Sequence, residues 1–277
     1  MPGKAGWKWI LIMIGEEQRT EAAPPPHDST PSPTASAAPG PRRWHLTGTY
    51  LFIGAAIMYL ASLAAGMVVD YLARRYGPWS DDMLFWLQEL LSSLIVIAAC
   101  LLILSRLDGG FSDAGLNFSR KKEHWGFTLV MFIVSVLAVL AVMMLVTKLG
   151  VFNYFSPETA RQSGVGGRLD QGLAQGRQSA SFVFMSLCLV LAAPLAEELC
   201  FRGMGMGGYL RSGSVVGAYL WTSIVFAVLH GLPRLPGSFV QGLVFAHIRR
   251  RTGSLPCSVL AHSLNNAMVV WVASYFT

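Results

Sequence analysis

From Tyr50 onward the chain is a succession of long apolar runs separated by short polar breaks. A helix needs about 20 apolar residues to cross the hydrocarbon core of a bilayer. Backbone immersed in lipid must satisfy its own hydrogen bonds, which leaves helices and closed barrels as the spanning structures. Candidate spans fall at 48–70, 83–105, 125–147, 180–202, 214–231, 236–249 and 255–275. The 236–249 stretch is short and reads as a tilted or partly buried helix. Charged residues make up 13% of the 277 residues and hydrophobic ones 53%, whereas a soluble domain usually carries about 25% charged residues. Period-two alternation is absent, which argues against a β-barrel. The predicted fold is all-α, a polytopic transmembrane bundle of about seven or eight helices.

The chain divides into two parts. Residues 1–47 contain Pro24-Pro25-Pro26 and are rich in Pro, Ala, Ser and Thr, a composition that cannot bury a core and reads as a disordered tail. The apolar run Trp9 to Ile14 inside it is too short to span. Residues 48–277 form the predicted membrane domain. Within it, 148–179 is a Gly-rich, mixed-charge connection expected to be a loop, of a length typical of gates and lids. No internal repeat is evident, which disfavours an inverted-repeat transporter.

The net charge of +6 reflects basic residues flanking the spans rather than a nucleic-acid surface. Arg42 and Arg43, then Arg106 with Arg120, Lys121 and Lys122, then Arg249-Arg250-Arg251 all fall on one side if the N-terminus is cytoplasmic; Arg74 and Arg75 oppose this. That orientation sets Glu197 a turn or two inside the bilayer on the cytoplasmic side. Cys100, Cys188, Cys200 and Cys257 form no C-x-x-C pair and read as small buried hydrophobes.

Three polar patterns interrupt the apolar C-terminal half: Glu197-Glu198-Leu199-Cys200-Phe201-Arg202, Phe226 to His230, and His262 to Asn266. Ionisable groups inside a membrane are costly and by default mark function. On a helix Glu198 and Arg202 share a face at i, i+4, with the acid first, the favourable order for an ion pair. Glu197 is rotated by about 100° from that face, free to face a cavity as a general base. Pro194 removes a backbone hydrogen bond and is expected to kink the helix beside the acids. His230 ends an apolar helix before Gly231-Leu232-Pro233. His262 and Asn266 again stand at i, i+4, as two donors suited to an oxyanion or carbonyl oxygen; Asn265 is rotated off that face. Taken singly, each pattern also fits helix–helix ion pairing or hydrogen bonding. H-E-x-x-H and H-x-x-E-H are absent, yet His230, His262 and Glu197 remain open as a His₂Glu zinc set.

The run Ala193-Pro194-Leu195-Ala196-Glu197-Glu198-Leu199-Cys200-Phe201-Arg202-Gly203 resembles the E-E-x-x-x-R motif of the CPBP family, the CAAX-protease and bacteriocin-processing family of intramembrane glutamic endopeptidases. Phe226-Ala227-Val228-Leu229-His230 is similar to its F-x-x-x-H motif. Thr252-Gly253-Ser254-Leu255 with His262-Ser263-Leu264-Asn265-Asn266 is similar to its T-G-S-L and H-x-x-x-N segment. The resemblance covers residues 125–275 and is strongest over 190–270. It implies a helical bundle with a membrane-embedded, water-filled cavity. By that resemblance Glu197 and His230 activate a water, His262 and Asn266 stabilise the tetrahedral oxyanion, and Glu198 and Arg202 brace the site.

The resulting expectation is a multi-pass hydrolase of a bacterial inner membrane, its site toward the cytoplasm. It would cleave a membrane-associated peptide or protein, prenylated in the CAAX-type case, or process bacteriocins in a self-immunity role. No cofactor is expected, with zinc and a metallopeptidase mechanism left open, and no nucleic-acid partner. The alternatives are a non-catalytic membrane scaffold or immunity protein keeping the same fold, and a small transporter or proton channel with Glu197 and His230 as a relay.

Overall fold

A computed structural model describes residues 48–77, 79–119, 121–150 and 180–276. The Pro-rich tail and almost all of the Gly-rich connection lie outside the described residues. Among the described residues there are eight helices and no strand: α1 (Thr49–Tyr76), α2 (Asp81–Ser105), the short α3 (Gly110–Asp113), α4 (Lys122–Lys148), α5 (Ala180–Arg211), α6 (Val215–Leu229), α7 (Leu235–Thr252) and α8 (Leu255–Phe276). Five of them, α1, α2, α4, α5 and α8, are long and apolar enough to cross a membrane, and α6 is a shorter apolar helix. The polytopic helical bundle expected from the sequence is the observed architecture. Surface-exposed Leu137, Met144, Leu145 and Val130 on α4 suit a lipid-facing helix.

Local chemistry sets the helix ends. Ser80 accepts a hydrogen bond from the Met83 amide at 3.3 Å and starts α2, while Asp81 and Asp82 stand in the positive first turn. Ser214 does the same for α6 through the Gly217 amide at 3.2 Å. Helix α7 ends at Gly253 in the left-handed conformation, after Arg249, Arg250 and Arg251 in the negative last turn. This helix carries fewer apolar residues than its neighbours because it packs between α4 and α6.

The T-G-S-L segment ties α7 and α8 to the loop after α3. Ser254 Oγ donates to Asn117 O at 2.7 Å, and the Leu255 amide donates to Gly115 O at 2.7 Å. Buried Arg249 donates through Nε to Ala114 O at 3.2 Å and through Nη2 to Asp113 O at 2.7 Å. Arg211 at the end of α5 pairs with Asp113. The start of α8 and the ends of α5 and α7 therefore meet at one basic end of the bundle.

Helix α5 is not uniform. Two π-helical segments, Cys188–Ala192 and Leu199–Gly205, flank a six-residue α-helical stretch, Ala193–Glu198. Such i, i+5 segments inside α-helices often occur at functional sites. Pro194 does not act only as a simple kink. The Ala193 amide bonds Cys188 O rather than Leu189 O, and Pro194 has no amide hydrogen to offer in the i, i+5 register. The Leu189 carbonyl thereby loses both of its usual helical donors.

Candidate active site

Helices α5, α6 and α8 bring the sequence-predicted residues together. Glu197 Oε2 lies 3.7 Å from His230 Nε2 and 3.9 Å from His262 Nε2. The Glu197 and His230 side chains keep 17% and 26% of their surface exposed, although Glu197 Oε2 itself is buried without a hydrogen-bond partner, and His262 is buried at 5%.

Each imidazole is held by its other nitrogen. His230 Nδ1 lies 2.7 Å from Phe226 O. A carbonyl only accepts, so Nδ1 carries the hydrogen, and in the neutral ring Nε2 is a bare acceptor. Two acceptors 3.7 Å apart do not bond one another; each is an acceptor for a hydrogen of a water, once the pair separates slightly to admit one. His262 Nδ1 lies 3.2 Å from Glu198 Oε1 and donates to it. For His262 Nε2 also to donate, the ring must be the imidazolium.

Beneath this layer, Glu198 and Arg202 are both fully buried. Their ion pair, Oε1 to Nη1, is 3.1 Å long, although the N–H is not aligned along it as a hydrogen bond. Arg202 Nη2 donates to Gly242 O at 3.0 Å, and its Cζ stands 4.5 Å from the Phe226 ring centroid, 5.5 Å from Phe245 and 5.7 Å from Phe201. Phe226 also lies 4.3 Å from the His230 ring and 5.8 Å from the His262 ring, and Phe245 stacks on His262 at 4.8 Å. The rings thus fix both imidazoles and surround the cation with π-faces.

Asn266 is placed differently from its helix neighbour His262. Its Nδ2 donates to Leu189 O at 2.8 Å, the carbonyl left without a helical donor by the π segment and Pro194. One amide hydrogen is thereby committed, and the second is left for another acceptor. Asn265 sits off this face as the spacing implied, buried, with Gln241 donating to it at 3.4 Å.

Three contributors escaped the sequence reading. Phe245 on α7 carries no motif signal. The Glu198–His262 contact joins residues far apart in the chain. Glu89 on α2 is close enough to Glu197 to feel its charge, and an acid inside an apolar span was the available signal. Arg202 is buried beside Glu198 rather than at a surface. Counting from Arg211 and from Leu255, the site lies roughly 10 to 20 Å of helix from the basic end.

The residues left open as a zinc set do converge. Among the described residues, however, no group of three or more His, Cys, Asp or Glu is arranged to hold a metal ion.

Residues 179–268 match the model of a family described as Type II CAAX prenyl endopeptidase Rce1-like. This segment contains all six candidate site residues, and the match agrees with the resemblance drawn from the three sequence patterns. It supports a membrane protease of the CAAX type in general terms. No curated protein and no solved structure matches the chain.

Proposed function

We propose that the chain is an intramembrane endopeptidase that hydrolyses a peptide bond with a water activated by Glu197 and His230. The observation that carries this reading is the convergence of one half-shielded carboxylate with two imidazole Nε2 atoms, each imidazole fixed through Nδ1. Glu197 takes a proton from the water, which attacks the carbonyl carbon. The oxyanion that forms accepts hydrogen bonds from His262 Nε2–H, which requires that ring as the imidazolium, and from the second amide hydrogen of Asn266. The proton is then delivered to the leaving nitrogen, with His230 sharing it, and the products are a carboxylate and an amine. Glu198 and Arg202 hold His262 and the α5–α7 contact in place. The reaction as proposed uses water and side chains and no metal, so full activity should persist after exhaustive chelation.

The proposed substrate is a membrane-associated peptide or protein, prenylated if the processing is of the CAAX type, approached from the cytoplasmic side of a bacterial inner membrane. The test compares membrane peptidomes of cells expressing wild type or Glu197→Gln at matched levels. New C-termini should appear only with wild type, because loss of a general base costs about 10²- to 10⁴-fold in rate. Identical peptidomes with an unchanged phenotype would replace the peptidase with a scaffold role.

A further inference from the structure

All four cysteines of the chain are buried and free, and two of them touch. Cys100 Sγ on α2 lies 3.4 Å from Cys200 Sγ on α5, and both side chains are sealed in the core. No C-x-x-C spacing announces this pair, because its members stand 100 residues apart. The Cys200 thiol also approaches Gly54 O on α1 at 3.8 Å, and a Cβ on Gly54 would come within 3.3 Å of Cys200 Cβ. Three membrane-spanning helices therefore meet at these sulfurs. Cys200 falls between Glu197 and Arg202 in the chain, inside the second π segment, Leu199–Gly205.

We propose that Cys100 and Cys200 are a reversible dithiol–disulfide pair that clamps α2 to the helix carrying Glu197. A bonded pair stands at about 2 Å, so closure needs a movement of about 1.4 Å, and the wide turns of the π segment give room for it. The oxidant is a hydroperoxide dissolved in the bilayer. Leu101 and Leu102, which follow Cys100, are exposed on a membrane-spanning helix, so the surface of α2 nearest the pair faces lipid rather than water. Burial shields both sulfurs, and the reaction runs when α1 and α2 part locally. One sulfur takes the terminal oxygen of the hydroperoxide, leaving an alcohol and a sulfenic acid; the other sulfur displaces that hydroxyl as water. Two thiols and one hydroperoxide thus give one disulfide, one alcohol and one water, with two electrons passing from the sulfurs to the O–O bond. The bond fixes the stretch between Glu197 and Arg202 against α2, whereas the dithiol leaves it held by packing alone. This inference stands apart from the peptidase reading, since it uses none of the catalytic residues.

The test treats the purified full-length protein in lipid nanodiscs with cumene hydroperoxide, denatures it in acid, and counts thiols by alkylation and mass spectrometry. Wild type should pass from four alkylated cysteines to two, and digestion should release a peptide joining Cys100 to Cys200. The unfolding midpoint should rise by roughly 5–15 °C and return on reduction with tributylphosphine, because the bond closes a loop of 100 residues in the unfolded chain. A Cys188→Ala, Cys257→Ala double variant keeps only the proposed pair and should behave as wild type. Cys100→Ala and Cys100→Ser should each keep three alkylatable cysteines and show no rise. Four alkylatable cysteines retained in oxidised wild type, thiols lost without the cross-linked peptide, a bond mapped to another pair, or an unchanged midpoint once the bond has formed would each overturn the proposal.

Discussion

Glu198→Gln tests whether the buried ion pair holds the site together. Both partners are fully buried, and removing one partner of such a pair costs about 3–5 kcal/mol because the other charge stays buried without compensation. Arg202 keeps the Gly242 carbonyl at 3.0 Å and the Phe226 face at 4.5 Å, and Gln keeps an acceptor oxygen. Those residual contacts place the loss at the low end, about 3 kcal/mol. Arg202→Met should cost a similar amount, since Glu198 keeps His262 as a donor at 3.2 Å. The double variant leaves neither charge stranded, so its loss should be about 4 kcal/mol rather than 6, a coupling of about 2 kcal/mol. For a chain of this size about 3 kcal/mol lowers the unfolding midpoint by roughly 6–12 °C. The assay is thermal unfolding of the four purified proteins in one detergent. A Glu198→Gln midpoint within about 2 °C of wild type, or strictly additive single losses, would refute the reasoning.

Asn266→Ala should cost about 1–3 kcal/mol by leaving the Leu189 carbonyl unpaired; Pro194→Ala in the same chain restores an amide donor and should return part of that stability, measured by the same unfolding assay, without restoring peptidase activity if the amide also serves the oxyanion. Gly242→Ala would set a Cβ 2.9 Å from Ser223 Cβ and 3.0 Å from Ser223 Cα; the forced separation of α6 and α7 should destabilise by about 1–3 kcal/mol. Gly115→Ala meets a positive φ of 69° and would drive its Cβ into the Arg249 guanidinium, so yield of folded protein should fall sharply on size-exclusion chromatography, whereas Gly213→Ala, also at positive φ but with open space, should lose less.

Much of the frame was legible because it is local. Apolar run length located the five spanning helices, and the i, i+4 rule paired Glu198 with Arg202 and turned Glu197 away from them. The convergence of Glu197, His230 and His262 was suggested by the resemblance, not by spacing, since no local rule brings α5, α6 and α8 to one point. What sequence did not disclose depends on tertiary contact or on backbone register. Phe245 belongs to a stretch with no polar signal, and its stacking on His262 follows from how α7 seats between α4 and α6. The Asn266–Leu189 bond was hidden because it answers a carbonyl orphaned by π geometry. Pro194 signalled a disturbed helix, yet the disturbance is absorbed as a wider turn rather than a bend alone.

The first π segment of α5 has a consequence for how such chains change by insertion and deletion. A π turn carries one residue more than the α turn it replaces, so removing a single residue between Cys188 and Ala192 would restore an ordinary turn there. Because the extra residue is taken up inside the wide turn, the helix beyond it would keep its facing and Glu197 would stay on the imidazoles, whereas removing residue 195 or 196 from the α-helical stretch would turn Glu197 by about 100° relative to the chain before it. The wide turn is thus a place where chain length changes by one without re-aiming the E-E-x-x-x-R letters. Two homologous chains with a one-residue gap in this segment would hold the same site.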